Sequence, residues 1–288
     1  MRAVRLYSPG DPLRVEEVPL PVPVGTEVRV RVAGCGVCHT DLHIADGTQP
    51  RVALPVTLGH EVAGWIDELG QDTETPLAVG DAVVVHGGWG CGVCRDCLAG
   101  AEQRCERSVA PGFQLDGGYA DAMLVPHPRH LVPIGSLDPV RAAPLADAGI
   151  TPHRAVRRAE PWLLPGARVL LIGCGALGQF ALQYLRLIPD AGDELFVGVR
   201  ELSPTRLERA TELGADIGLL DGDPEMTREA LGGSADVVLD FVGTDATLGH
   251  AARVVAADGL VVLVGEAGGS VPFGFQTMPV ESWITTVA

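Results

Sequence analysis

Lysine is missing altogether, and all 21 basic residues are arginine. Without a lysine ammonium the chain cannot form a lysine Schiff base, fill the lysine position of a P-loop, or supply the tyrosine–lysine pair of short-chain dehydrogenases. Positive charge is scarce as well: 37 acidic residues leave a net charge of -16 at pH 7. Such a chain has no electropositive footprint for nucleic acid or an anionic membrane surface. Long apolar runs are also few. The opening MRAVRLYSPG has no apolar leader core, and Val169 to Ile188 is interrupted by Gly, Gln and Arg. Neither a signal peptide nor a membrane span is expected, which points to a cytoplasmic protein. No solenoid-period repeat or low-complexity tract is present.

What is present fits two domains. The 288 residues are 47% hydrophobic and 20% charged, enough for two separate cores. Up to about Ala148 the texture is one of short Val-rich alternating runs split by Gly and Pro: Glu27 to Val32, Val62 to Ile66, Ala82 to His86 and Ala122 to Val125. These predict an all-β, barrel-like domain over residues 1–150. From Thr151 to residue 288, buried runs alternate with helical stretches. The runs are Arg168 to Ile172, Leu195 to Val199, Val237 to Val242 and Leu260 to Val264; the helices are Leu177 to Leu187, Pro204 to Leu213 and Leu248 to Ala256. That alternation predicts a doubly wound α/β domain with a parallel sheet.

Seven cysteines without a secretory leader read as metal ligands or reduced thiols rather than disulfides. Cys91-x2-Cys94-x2-Cys97-x7-Cys105 brings four thiolates into one short lobe, the donor set of a structural zinc. A closed sphere of four sulfurs has no position for substrate, so this zinc holds the lobe. A second set is scattered: GVCHTDLH around Cys38 and LGHE around His60 and Glu61 offer thiolate, imidazole and carboxylate. Scattered ligands suit a catalytic zinc with an open position, although taken singly Cys38 also reads as a small buried residue and His60 as a core histidine.

GVCHTDLH, TLGHEVAG, the Cys91–Cys105 lobe, PLADAGITPHRA and LLIGCGALG stand in the order and approximate spacing of the zinc-containing medium-chain alcohol dehydrogenases, which the chain resembles over essentially its whole length. The resemblance implies a GroES-like β-barrel catalytic domain followed by a Rossmann domain. It implies Cys38, His60 and Asp147 as ligands of the catalytic zinc, Asp147 standing where many relatives have cysteine. Glu61 resembles the glutamate that approaches the metal during ligand exchange, and Asp41 the carboxylate that orients the ligand histidine. Thr40 is placed like the hydroxyl that takes the alcohol proton, and His43 like the histidine that passes it to solvent. His39 matches a position that touches the cofactor pyrophosphate, and Trp89 reads either as pocket lining or as core.

Gly173-Cys-Gly-Ala-Leu-Gly178, after an apolar run and before a helix, is the setting a dinucleotide fingerprint requires. The resemblance places Thr151, Leu177 and Val264 beside the nicotinamide. In VGVRELSP, counting back from the next helix puts Glu201 at the acidic position that accepts from the ribose 2′-hydroxyl, with Arg206 close by, which favours NAD. Counting forward puts Arg200 there, which would suit the 2′-phosphate of NADP.

Family members continue for several dozen residues beyond Ser282-Trp-Ile-Thr-Thr-Val-Ala288. The expectation is therefore a Rossmann domain lacking its C-terminal part, with part of the cleft wall absent and homo-oligomerisation weakened. The function implied is zinc-dependent oxidation of a small alcohol by NAD(P)+. The alternatives are a catalytically silent zinc- and nucleotide-binding fragment or assembly protein, and a zinc-ribbon nucleic-acid binder, which the -16 charge disfavours.

Overall fold

The computed structural model describes Met1 to Val287; Ala288, the last residue of the predicted second domain and of its closing apolar run, lies outside the described residues. The chain forms two compact units, Met1–Asp147 and the residues from Ala148 onward. In chain order the strands of the first are β1 (Arg2–Leu6), β2 (Arg14–Glu17), β3 (Val28–Gly36), β4 (Val56–Thr57), β5 (Glu61–Leu69), β6 (Ala82–Val85), β7 (Ala122–Val125) and β8 (Leu131–Pro133). They make a three-stranded sheet, β2-β1-β4, and a five-stranded sheet, β7-β3-β5-β6-β8, antiparallel throughout. Alternation decides which side is core. Val28 and Val30 face inward with Val62, Ile66 and Met123, whereas Arg29 turns to Asp67 and Glu68, each at 2.6 Å. Helices α1 (His39–Asp46), α2 (Arg95–Leu98) and α3 (Pro139–Ala142) interrupt the strands.

The second unit contains α4 (Ile150–Ala159), β9 (Arg168–Ile172), α5 (Ala176–Arg186), β10 (Phe196–Glu201), α6 (Pro204–Glu212), β11 (Ile217–Leu220), α7 (Pro224–Leu231), β12 (Ala235–Asp240), α8 (Asp245–Val254), β13 (Val255–Leu263) and β14 (Trp283–Thr286). Its six strands pair in parallel in the order β11-β10-β9-β12-β13-β14, the doubly wound order with its switch point between β9 and β12. Period-two alternation builds both layers at once. Val169, Leu171, Val237 and Leu239 enter one core, and Leu170, Ile172 and Val238 enter the other. Helix α5 buries Gly178, Ala181, Leu182 and Leu185, one stripe at helical spacing.

Helices α4 and α7 join the three expected ones, β12 starts and ends two residues earlier than its apolar run, and α8 and β11 also depart from the sequence expectation. Helix α8 stops at Val254, and Val255, with extended backbone at φ -61 and ψ 144, already begins β13. Strand β11 was not anticipated because it lies at the sheet edge, where only alternate residues are half-buried. Among the described residues no helix is long and apolar enough to cross a membrane.

A buried polar pair ties α7 to α8. The Thr227 hydroxyl donates to the Asp223 carbonyl at 2.9 Å, so its oxygen is left to accept from His250 Nε2 at 3.1 Å. Burial, then the Arg200 and Arg253 charges, push the His250 pKa down to about 4. The unfolded chain, with an ordinary histidine near 6.5, takes up the proton first, so this contribution is complete above about pH 6.5 and is lost as pH falls toward 4. The expected result is an unfolding midpoint that drops over this range less steeply in His250→Gln than in the wild type.

Candidate metal centres and nucleotide cradle

The four-cysteine lobe lies between β6 and β7. Sulfur separations are 3.9 Å for Cys91–Cys97 and 3.4 Å for Cys94–Cys97, and all four sulfurs, that of Cys105 included, lie within 4.8 Å of one another. A tetrahedron of Zn–S bonds of ~2.3 Å has edges of about 3.8 Å, so the spacing fits one zinc. The Val93 N–H, against a smaller effect of burial, holds the Cys91 thiol down to about 6, and the Arg107 guanidinium donates to its sulfur at 3.1 Å. Thiolate is thus the favoured form at one corner before any ion arrives. All seven cysteines are free. The lobe is fastened to the barrel through Gly90, whose N–H donates to Glu102 at 2.8 Å and whose carbonyl accepts from Arg129 at 2.9 Å. Trp89 is core rather than pocket lining: it is 2% exposed, packs among the barrel valines and donates its indole N–H to the His86 carbonyl.

The scattered donors converge. Cys38 caps α1, His60 immediately precedes β5, Glu61 opens it, and Asp147 ends the helical turn Ala143–Ala146. One donor atom from each lies within 4.8 Å of the other three. His60 offers its two nitrogens to different partners, Nε2 being 3.5 Å from Asp147 and Nδ1 3.5 Å from Asp41. Burial disfavours its cation, yet the Asp147 and Asp41 carboxylates and the Cys38 sulfur push its pKa up to about 12. Burial and the nearby Asp147 charge lift Glu61 to about 7. Without an ion the cluster therefore takes up protons, as a donor set built for a cation does. Gly36 makes room for Glu61: a Cβ there would sit 1.8 Å from the Glu61 carboxylate. Asp41 is nearly buried, and its Oδ2 accepts from the Cys38 backbone N–H at 2.9 Å, closing the first turn of α1.

Thr40, His39 and His43 ride on α1 beside these donors. The Thr40 hydroxyl is 3.5 Å from the Cys38 sulfur, and the His39 and His43 rings, one turn apart, meet edge-on at 6.1 Å.

In the second unit the fingerprint glycines divide three tasks. Gly173 takes φ +86 in the turn, Gly175 faces open space, and a Cβ on Gly178 would lie 2.3 Å from the Gly173 carbonyl oxygen. Helix α5 has no side-chain cap, which leaves its first N–H groups available to an anion. Glu201, 7% exposed at the end of β10, accepts from the Cys174 N–H at 2.8 Å and from those of Leu202 and Ser203. Burial opposes its ionisation, but these donors outweigh burial and lower its pKa. Arg206 stands 3.8 Å from it, while Arg200 pairs with Asp221. Thr151 lies in the first turn of α4, Leu177 packs from α5 against the first core, and Val264 follows β13 within that core.

Two residues had no signal in the sequence. Tyr119 donates to Asp41 Oδ2 at 2.8 Å, and Asp240, fully buried at the end of β12, accepts from the N–H groups of Val242 and Gly243. Neither belongs to a spaced motif. Only pairing Tyr119 with Asp41, 78 residues away, would have revealed it.

A GroES-like β unit with two sulfur-bearing donor sets, joined to a doubly wound unit with a glycine cradle, is the build of a metal-dependent nicotinamide dehydrogenase. Residues 25–136 match the alcohol dehydrogenase GroES-like domain and residues 176–284 the zinc-binding dehydrogenase domain. An NAD-dependent alcohol dehydrogenase of Sulfurisphaera tokodaii is 37% identical over 95% of this chain and 80% of its own. A D-arabinose 1-dehydrogenase (NADP(+)) of Saccharolobus solfataricus is likewise 37% identical, over 93% and 77%. The crystal structure of the alcohol dehydrogenase from Aeropyrum pernix superposes with a TM-score of 0.90 at 35% identity, covering 100% of this chain and 85% of that one. The chain belongs to the zinc-dependent alcohol dehydrogenase family.

Proposed function

We propose that the chain catalyses reversible hydride transfer between a small primary or secondary alcohol and NAD+, with one catalytic and one structural zinc. The observation that carries this reading is the convergence of Cys38, His60 and Asp147 from three remote segments onto one point. A zinc ion held by these residues would supply the Lewis acidity that lowers the pKa of an alcohol, and a bound nicotinamide would supply the hydride acceptor. The chain's own groups handle the proton. Thr40, beside the Cys38 sulfur, receives it from the alcohol, and His43, on the next turn of α1, hands it toward solvent. Glu61 is a spare oxygen donor, accommodated because Gly36 has no side chain. His39 adds a polar contact for the pyrophosphate. Cys91, Cys94, Cys97 and Cys105 hold the second zinc, which fastens the lobe.

Gly173, Gly175 and Gly178 would hold the cofactor pyrophosphate, and Thr151, Leu177 and Val264 would line the nicotinamide. Glu201 favours NAD+ over NADP+: a carboxylate accepts from the ribose 2′-hydroxyl and repels a 2′-phosphate, and Arg206 steadies it. Arg200, engaged by Asp221, is not directed at that phosphate. Losing a charged hydrogen bond of ~1.5–3 kcal/mol, Glu201→Gln should lower kcat/KM for NAD+ about 10- to 100-fold and narrow the gap to NADP+. Steady-state kinetics with both cofactors measures this directly.

A cofactor-reduction screen over small primary and secondary alcohols, with NAD+ and NADP+ and with and without a zinc chelator, tests the whole reading. Chelator-sensitive, alcohol-dependent NADH formation is expected. Zinc-loaded protein that reduces neither cofactor with any alcohol would sink it.

A further inference from the structure

Tyr119 sits outside every motif discussed above, yet it touches the carboxylate that faces His60. Its backbone is locked to the segment that delivers that histidine. Gly117 N–H donates to the Thr57 carbonyl at 2.8 Å, Gly118 N–H to Gly59 at 2.8 Å, and Tyr119 N–H to Leu58 at 2.9 Å. On the other side the Tyr119 carbonyl accepts from Val4 N–H at 2.8 Å. The phenol ring lies over Gly59, where a Cβ would meet its Cδ1 at 2.6 Å, so glycine at that position admits the ring.

From this fixed base the hydroxyl reaches Asp41 Oδ2 at 2.8 Å, with the Gly36 carbonyl at 3.1 Å. It has one proton, and the shorter contact to the charged acceptor takes it. Burial and the Asp41 contact raise the Tyr119 pKa, so the hydroxyl stays protonated and donates. Oδ2 thus receives both Tyr119 and the Cys38 backbone N–H, which fills it. Oδ1 is left facing His60 Nδ1 at 3.5 Å, and these two atoms are buried with no other hydrogen-bond partner. For Nε2 to serve as a metal donor the proton must reside on Nδ1, and Oδ1 is the acceptor that keeps it there.

We propose that Tyr119 is a positioning residue for the catalytic metal: by occupying Asp41 Oδ2 it turns Oδ1 onto His60 and so fixes the imidazole as a zinc donor. Asp41 then grips two of the donors at once, Cys38 through its backbone and His60 through its ring, and Tyr119 holds that grip shut. This rests on the zinc-site reading above.

The test is zinc release from the fully loaded chain into excess chelator, comparing wild type, Tyr119→Phe, Asp41→Asn and the double variant, with metal content measured beforehand. Loss of a direct partner of a metal-bound histidine costs about 10- to 100-fold in metal affinity, so removing the hydroxyl one step further out is expected to speed release of the catalytic zinc about 3- to 10-fold. The cysteine-lobe zinc should leave at its wild-type rate, and Tyr119→Phe should add nothing in the Asp41→Asn background. An unchanged rate in Tyr119→Phe overturns the proposal. So does an equal acceleration in the Asp41→Asn background, or faster loss of both zincs. A wild-type chain that binds one zinc only, in the cysteine lobe, overturns the zinc-site reading and this inference together; two zincs with unaltered release overturn this inference alone.

Discussion

Replacing Cys38 by serine is expected to lower kcat/KM about a thousandfold, the several kcal/mol that a lost Lewis acid represents, while the chain stays folded. Cys38 caps α1 with an extended backbone, φ -112 and ψ 158, and serine is among the preferred residues at such a position, so the helix should be held at least as well. The hydroxyl, however, is a poor zinc donor beside a thiolate. With the ion gone, the carboxylates of Asp41, Asp147 and Glu61 remain close together and buried or half-buried, and only protons can compensate them. Elemental analysis should accordingly show zinc falling from two to one per chain, with the lobe zinc retained and the unfolding midpoint little changed. Full activity in Cys38→Ser, or loss of both zincs, would remove Cys38 from the catalytic centre.

The fingerprint glycines should respond to alanine in opposite ways. At Gly178 a methyl would stand 2.3 Å from the Gly173 carbonyl oxygen, which is backbone and cannot swing aside. Gly178→Ala should therefore cost about 1–3 kcal/mol of stability and weaken cofactor binding as well, because the turn itself must shift. Gly175 faces open space and has an ordinary negative φ of -71, so Gly175→Ala should unfold at the wild-type midpoint. Its methyl would nevertheless fill the approach proposed for the pyrophosphate, and the same ~1–3 kcal/mol then falls on binding, about 5- to 150-fold in Kd. Thermal unfolding with and without NAD+ separates the two outcomes: Gly175→Ala should lose the stabilisation that NAD+ confers, and Gly178→Ala should lose baseline stability too. Equal behaviour of the two variants would contradict the division of labour among the glycines.

How much of this was legible beforehand depended on whether the controlling interaction was local. Strand β9 was expected at Arg168 to Ile172 and is found there, because a parallel strand buried on both faces reads as one unbroken apolar run. The same logic missed β11, which is only half covered, and let α8 run two residues into β13, since Val255 and Ala256 suit either state. The four-cysteine lobe was visible from spacing alone. Cys38, His60 and Glu61 offered a scattered donor set without fixing which of them bind the ion, and Asp147, an ordinary acid in its own segment, joined them only through the resemblance to a known family. Arg200 against Glu201 could not be decided by counting. Side chains alternate along β10, so a shift of one residue exchanges an arginine tied to Asp221 for a carboxylate on the glycine turn. Tyr119 was invisible because nothing in its neighbourhood refers to Asp41.

The division of donors between the units bears on how the protein is made. Every donor assigned to either zinc precedes Ala148, inside the first compact unit, and every glycine of the cofactor turn follows it. A ribosome delivers these halves in that order, and domains generally fold as they emerge. The donors proposed for both metal centres are therefore complete on the nascent chain before the nucleotide-binding half has been translated, so zinc binding by the first unit need not wait for the second.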